Sequence, residues 1–195
     1  MDPQLTAQIF PHIRIVMGMV IGLGMTRLLL GVAGMVQHPD RARLSSIHLL
    51  WVGSILLELV HFWWWQFALF HLESWTFGVF FFLIAYTVVL FLLAALLFPD
   101  NLAEYAGYED FFLQRRQWFF GLFAASFVFD LIDSLLKGQA HWDRFGIEYY
   151  IQVPIGVALC GLAIWTANRR VHLALVSVHL LYQLSWIFRL FNTVS

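Results

Sequence analysis

Apolar residues fill six long stretches of this chain, and short polar segments separate them. A transmembrane helix needs about 20 consecutive, mostly apolar residues, and each stretch meets that length. The pattern therefore predicts an all-α integral membrane fold that forms one domain over residues 1–195. The six predicted transmembrane helices cover approximately 13–36, 45–70, 75–98, 117–136, 149–168 and 171–191.

The longest connection, residues 100–117, predicts a short interfacial helix between the third and fourth spans. Asn101 followed by Glu104 is the pattern of a helix-capping box. Apolar residues such as Tyr105 and Phe112 would give this helix a side that lies on the lipid headgroups.

Polar side chains interrupt four of the spans at positions where such groups are costly. An ionisable residue at the centre of a span costs at least about 2.5–3.5 kcal/mol on insertion scales, so each requires a partner, water or a functional role. These positions are our candidate polar-core or pathway residues. They are Arg27, Ser54, Glu58, His61, Ser126, Asp130, Asp133, His179 and Gln183.

Helical spacing places these residues on one face of the first, second, fourth and sixth spans. Polar faces avoid lipid, so we expect these four helices to surround a polar centre, with the third and fifth packed outside. Glycines of the first span, such as Gly24 and Gly31, allow a neighbouring helix to approach closely.

Two interpretations of the polar centre stay open at this point. In the first, the charges pair and only hold the helices in register. In the second, carboxylates and histidines at successive depths form a path for protons or other cations, because both residue types bind and release protons. The pairs expected in the first interpretation are Arg27 with Glu58, and Arg14 or Arg189 with Asp130 or Asp133.

Composition excludes a soluble domain and several function classes. Charged residues make up 12% of the chain, against roughly 25% in soluble domains. The net charge of −1 gives no basis for nucleic-acid binding. The single cysteine, Cys160, excludes an internal disulfide and a dithiol redox pair. The expected partners are the lipid bilayer and, for so small a chain, other copies in a homo-oligomer.

Arginine and lysine in the loops predict the orientation, since cytoplasmic loops carry an excess of both. The connections after the first, third and fifth spans carry six arginines, whereas those after the second and fourth carry only Lys137 and Arg144. Both termini are therefore expected outside. The first residues lack the features of a cleaved signal peptide, so we expect the first span to be retained. This orientation places Glu58, His61, Asp130 and Asp133 in the outer half of the membrane, and Arg27 and His179 in the inner half.

Metal and haem sites are both disfavoured by the sequence. Glu58 and His61 form a Glu-x-x-His element, but a di-iron bundle needs a second one and two more carboxylates, for which only Asp130 and Asp133 are available. Haem needs two facing imidazoles, and His61 and His179 fall at different predicted depths. The chain also lacks the TVGYG, HExxH, GxSxG and P-loop motifs. We therefore predict no cofactor and no catalytic residue.

Five segments in roughly the first two thirds of the chain occur in a recognisable order. They are GLGMTRLLLG at 22–31, HLLW at 48–51, HFWWWQF at 61–67, LLFPD at 96–100 and RRQWFFGL at 115–122. With them the chain resembles a family of small bacterial multi-pass inner-membrane proteins of uncharacterised function. The resemblance implies a bacterial cytoplasmic membrane, and hence periplasmic termini. It implies no activity and no site residues.

The sequence thus favours a small channel or transporter for protons or other ions rather than an enzyme. Glu58 and His61 would be its central titrating pair and Arg27 a gate or counter-charge. A non-catalytic scaffold or sensor subunit with structural charges is the alternative. A metal-dependent membrane enzyme at Glu58, His61, Asp130 and Asp133 is the second alternative.

Overall fold

The computed structural model describes residues 3–39, 43–72, 75–143 and 145–190. Arg41 and Arg144, which enter the predicted orientation, lie outside these ranges, as does the predicted end of the last span at residue 191. The described ranges are helical throughout apart from turns and short connections, and they contain no strand.

Seven α-helices form the described part of the chain. Six of them are long and apolar enough to cross a membrane, in agreement with the six predicted spans. The exception is α5, which has four residues. The helices are α1 (Pro3–Gln37), α2 (Ser46–Trp65, followed by a 3₁₀ turn over Gln66–His71), α3 (Phe77–Ala95), α4 (Tyr108–Leu136), α5 (Gln139–Trp142), α6 (Gly146–Trp165) and α7 (Arg169–Leu190).

The prediction of a short interfacial helix between α3 and α4 was wrong. Residues 101–107 form turns, and α4 begins at Tyr108 and continues through the predicted start of the span at 117. Asn101 closes a local turn, in which its Oδ1 accepts a hydrogen bond from the Ala103 N–H at 3.1 Å and its Nδ2 donates to Glu104 Oε1 at 3.4 Å. Gly107 then adopts a φ of 149°, a conformation that favours glycine and interrupts a helix. The second half of the predicted interfacial helix is therefore the beginning of α4.

The helix neighbours differ from the predicted arrangement. The central helix is α2, which contacts α1, α3, α4 and α7. The first span, α1, packs chiefly on α3, while α6 packs chiefly on α4 and also supplies polar side chains to the centre. The polar centre is thus formed mainly by the second, fourth, fifth and sixth spans instead of the first, second, fourth and sixth.

Two aromatic clusters lie on either side of this polar centre. The first, which we call the aromatic plug, consists of Trp51 and the phenylalanine rings around it, 5.1–6.4 Å from it between ring centroids. The second, the aromatic cap, is a separate buried cluster. Along α2 and α4 the plug residues precede the polar centre, and the cap residue Trp65 follows it on α2. The plug comprises Trp51, Phe112, Phe119, Phe120 and Phe123, and the cap comprises Trp65, Trp142, Phe145, Tyr149 and Trp186.

Two glycines of α1 make a matched test of close packing. A Cβ on Gly31 would lie 2.5 Å from three ring atoms of Phe98, whereas a Cβ on Gly34 would meet nothing within 4 Å. We expect Gly31→Ala to destabilise the protein by about 1–3 kcal/mol, because the Phe98 ring must move. Gly34→Ala should be neutral or stabilise by up to about 1 kcal/mol, since alanine restricts the unfolded chain. Thermal unfolding of both variants in detergent checks this, and equal melting temperatures would contradict it.

Candidate functional site

A cavity bounded mainly by α2, α4, α6 and α7 brings most of the predicted polar residues together. The centre of a water molecule can reach about 70 Å³ of it, and one water needs roughly 10–15 Å³, so a few waters fit. We call this cavity the polar chamber. Its lining includes the predicted residues Glu58, His61, Ser126, Asp130, His179 and Gln183, together with Phe62, Trp65, Tyr86, Phe123, Phe127, Tyr149, Gln152, Tyr182 and Trp186.

Glu58 is fixed in the chamber by Gln183 of α7. The Gln183 Nε2 donates to Glu58 Oε2 at 2.7 Å and to the backbone oxygen of Ser54 at 3.3 Å. The Ser54 hydroxyl in turn donates to Gln183 Oε1 at 3.1 Å. Ser54 precedes Glu58 by four residues and so lies on the same face of α2. Ser54 is fully buried and orients the Gln183 amide rather than lining the chamber.

Asp130 is fixed by Tyr149 of α6. The Tyr149 hydroxyl donates to Asp130 Oδ2 at 2.7 Å and lies 2.9 Å from the hydroxyl of Ser134. Tyr149 itself is 2% exposed and belongs to the aromatic cap. The carboxylate of Asp130 is thereby tied to α6, as that of Glu58 is tied to α7.

The two histidines lie at opposite ends of the chamber. The ring of His179 stacks on Trp51 at 5.5 Å and meets the edge of Phe123 at 5.1 Å. Its Nε2 is buried without a hydrogen-bond partner in the part of the chain that the structure describes. His61 lies beside Trp65 of the cap, with 5.8 Å between the ring centroids. Both rings line one chamber, but His179 lies next to the plug and His61 next to the cap.

Ser126 and Asp133 both lie on α4 but have different surroundings. Ser126 lines the chamber, and its hydroxyl donates to the Phe123 backbone oxygen at 2.7 Å. Asp133 is outside the chamber lining and forms a buried ion pair, with 2.5 Å between its Oδ2 and the Nζ of Lys137. The indole nitrogen of Trp65 donates to the same oxygen at 2.8 Å. The charge of Asp133 is therefore compensated by Lys137.

Lys137 lies just beyond the last residue of α4, and its environment is unusual for a lysine. Its side chain is fully buried, and its ammonium lies 4.7 Å from the centre of the Trp65 ring, within the range of a cation–π interaction. Burial lowers the pKa of Lys137, while the neighbouring Asp133 acts in the opposite direction. The Asp133 carboxylate and the Trp65 ring thus stabilise an ammonium group that is buried from solvent.

Arg27 lies away from the chamber, so its predicted pairing with Glu58 was wrong. Its guanidinium donates to the Phe98 backbone oxygen at 2.9 Å and forms an ion pair with Asp100. The cause is the position of α1, which packs on α3 and brings Arg27 to the loop where α3 ends. Arg27 is therefore neither a gate nor a counter-charge of the chamber.

The other predicted counter-charges also have different partners. Arg189 donates two hydrogen bonds to Glu148, at 2.7 and 2.9 Å. The guanidinium of Arg14 lies 4.0 Å from the centre of the Phe67 ring. Neither arginine forms an ion pair with Asp130 or with Asp133.

Glu58 and Asp130 consequently stand apart from the other carboxylates in the spans. Glu109, Asp133 and Glu148 all form ion pairs. Within residues 3–39, 43–72, 75–143 and 145–190, no ion pair joins Glu58 or Asp130 to a basic side chain. The chamber thus combines two carboxylates, two histidines and space for water, and no arginine or lysine lines it among the residues that the structure describes.

The same described ranges contain no group of three or more His, Cys, Asp or Glu side chains arranged to hold a metal ion. Glu58, His61 and Asp130 do line one cavity. Asp133, the fourth candidate ligand, is held by Lys137 and Trp65. The observed arrangement therefore does not assemble the four-residue set that a di-metal centre would have used.

The candidate residues predicted from the sequence leave out Tyr149, which holds Asp130, and Trp65 and Lys137, which hold Asp133. For Lys137 a signal existed, because it follows Asp133 by four residues, the spacing of an intrahelical ion pair. The helical spacing also puts Lys137 on the polar face of the fourth span and Trp65 on that of the second. Tyr149 gives no signal, since aromatic residues near the ends of spans are common as interfacial anchors.

Comparisons with protein-family models, with curated proteins and with solved structures found no match to this chain. The bacterial inner-membrane location that follows from the resemblance in the first two thirds of the chain therefore stays a prediction, as do the periplasmic termini.

Proposed function

We propose that this chain is a small integral membrane protein that transports or conducts protons or another small cation through the polar chamber. The proposal depends on one observation: Glu58 and Asp130 line the same cavity and have no ion-pair partner among the described residues. Carboxylates in apolar surroundings are costly without a compensating cation. A proton or a small cation in the chamber would supply that compensation.

The chamber residues have distinct roles in this proposal. Glu58 and Asp130 bind the cation, and Gln183 and Tyr149 keep their carboxylates in place by hydrogen bonds of 2.7 Å each. His61 and His179 accept and release protons at the cap and at the plug. Since aromatic clusters lie beyond both histidines, transport requires the plug or the cap to move.

Membrane insertion in a bacterial cytoplasmic membrane, with both termini periplasmic, is part of the same proposal. Six helices long and apolar enough to span a bilayer support insertion. The six arginines in or next to the connections after the first, third and fifth spans support the orientation. In that orientation the aromatic cap lies at the periplasmic end of the chamber and the plug lies towards the cytoplasm.

Proton flux into liposomes that contain the purified protein tests the proposal. We expect Glu58→Gln to reduce the flux at least about tenfold, the effect of losing roughly 1.4 kcal/mol of cation stabilisation. Glutamine keeps an oxygen that accepts the Gln183 hydrogen bond, so the variant should fold. Glu109→Gln is the matched control, because Glu109 pairs with Arg169 outside the chamber. Wild-type flux equal to that of empty liposomes would contradict proton conduction.

A scaffold or sensor subunit is the second candidate, and a specific observation favours it. The Gln183–Glu58 bond joins α7 to α2, and the Tyr149–Asp130 bond joins α6 to α4. Such hydrogen bonds between helices stabilise membrane bundles by about 0.6 kcal/mol on average. On this hypothesis Glu58→Gln would change the melting temperature of the protein and no flux would be measured for any variant.

A further inference from the structure

An apolar groove lies beside the polar chamber, between α6 and α7. The centre of a water molecule can reach about 860 Å³ of it. Aliphatic side chains form most of its lining, and those of Ile147, Ile155 and Val178 are 78%, 52% and 62% exposed. We call it the side groove. It exists because α6 packs along α4 and contacts α7 over a much shorter stretch.

The side groove and the polar chamber adjoin. Four residues line both spaces, namely Phe127, Gln152, His179 and Tyr182. The hydroxyl of Tyr182 lies within hydrogen-bond distance of Glu148 Oε1, at 3.0 Å, and of Gln152 Oε1, at 3.2 Å. A molecule that occupies both spaces would place a polar end among the chamber carboxylates and an apolar end between the two helices.

We propose that a hydrophobic organic amine binds here as its cation, with the ammonium head in the polar chamber and the alkyl tail in the side groove. This inference rests on the proposed function in one respect, that the chamber holds a cation. Charge selects the head group, because Glu58 and Asp130 have no basic partner among the described residues and would repel an anion. A neutral lipid tail would fill the groove but would not interact with the two carboxylates.

The dimensions and the aromatic lining also fit an ammonium group. The chamber has room for a few waters, hence for a head group of a few heavy atoms. The rings of Trp65, Tyr86 and Trp186 line it, and aromatic faces attract ammonium cations by about 0.5–2 kcal/mol. The exposed Ile147 and Val178 place the groove on the outside of the bundle. In a bilayer an amphipathic amine would therefore enter sideways from the lipid.

Binding of radiolabelled n-octylamine to the whole protein in nanodiscs tests this proposal, with binding to empty nanodiscs subtracted. Octan-1-ol has a tail of the same length and a neutral head, so it serves as the ligand control. We expect saturable binding of octylamine that Glu58→Gln weakens at least about tenfold, or roughly 1.4 kcal/mol. Binding of octan-1-ol should be weak and should not depend on Glu58.

Variants of the side groove test where the tail lies. Val178→Trp fills the groove from α7 and should weaken octylamine binding at least about tenfold. Leu181→Trp is the matched control, because Leu181 is 68% exposed on the same helix but does not line the groove. Ile155→Trp fills the groove from α6 and provides a second test if Val178→Trp folds poorly.

The outcomes separate this inference from the proposed function. Proton flux that depends on Glu58, without saturable octylamine binding, would overturn the amine site and leave the proposed function standing. Equal binding of octylamine and octan-1-ol, lost in Val178→Trp but not in Glu58→Gln, would make the groove a site for lipid tails. A dimer that Val178→Trp dissociates, with no octylamine binding, would make it an interface between two copies. If the wild type shows neither proton flux nor saturable octylamine binding, both proposals are overturned.

Discussion

Lys137→Met should lower the free energy of unfolding by about 3–5 kcal/mol, the cost of leaving one charge of a buried pair without its partner. Both side chains of the Lys137–Asp133 pair are fully buried. Without Lys137, the carboxylate of Asp133 would keep only the hydrogen bond from Trp65. Its other oxygen, Oδ1, is already buried without a hydrogen-bond partner within the described part of the chain. Reversible unfolding of the purified protein in mixed detergent micelles measures the effect.

The double variant Lys137→Met with Asp133→Asn distinguishes a charge effect from a loss of packing. If the cost comes from an isolated buried charge, neutralising both residues should restore most of the stability lost by Lys137→Met alone. Arg169→Met is the matched control. The Arg169 side chain is 61% exposed in its pair with Glu109, and exposed pairs contribute about 0–1 kcal/mol. A double variant as unstable as Lys137→Met, or an equally unstable Arg169→Met, would contradict the interpretation.

The hydrophobic pattern was sufficient to predict six helices of membrane-spanning length, because the length of an apolar run is a local property of the sequence. All six span-length helices lie where apolar runs predicted them. The boundaries were less predictable where polar residues continue a helix. The starts of α1 and α4 differ most, since α1 begins at Pro3 instead of 13 and α4 at Tyr108 instead of 117. The added part of α4 includes Arg115 and Arg116. Helix length there exceeds the length of the apolar run.

The ion-pair partners were less predictable because they depend on which helices are neighbours. Depth alone made Arg27 and Glu58 plausible partners, yet α1 packs chiefly on α3 and takes Arg27 to Asp100. The same limitation hid Tyr149, which reaches Asp130 only because α6 packs along α4. The residues that gather in the chamber were nevertheless recognisable, since a polar residue in an apolar helix is conspicuous whatever its neighbour.

The positions of the arginines and the single lysine explain why Glu58 and Asp130 differ from Glu109, Asp133 and Glu148. Arg14 contacts the Phe67 ring, Arg27 pairs with the loop residue Asp100, and Arg189 pairs with Glu148. Lys137 reaches only as far back as Asp133, one turn short of Asp130. The ion pair of Lys137 is therefore with Asp133, and the two carboxylates without an ion-pair partner among the described residues line the chamber.

Trp51→Ala should lower the free energy of unfolding by roughly 3 kcal/mol, the low end of the range for removing a large aromatic side chain from a core. The low end applies because lipid tails are as apolar as a protein core. The variant therefore loses packing contacts but little hydrophobic transfer free energy. Trp51 is 1% exposed at the centre of the aromatic plug. Its indole nitrogen has no hydrogen-bond partner among the residues that the structure describes. Trp51→Phe therefore loses no hydrogen bond and should cost less than Trp51→Ala.

The same variant tests whether the plug closes the chamber. Trp51 stacks on His179, the chamber histidine nearest the plug, so its removal would extend the cavity towards the other end of the bundle. If the chamber is part of a proton path, Trp51→Ala should raise the basal proton flux into liposomes even though it lowers the melting temperature. Trp118→Ala is the matched control, because Trp118 is 69% exposed on α4 and its removal should change the stability by less than about 0.5 kcal/mol. An equally large loss of stability in both variants would show that Trp51 does not organise the plug. Lower stability with unchanged flux would show that the plug packs the bundle without controlling access to the chamber.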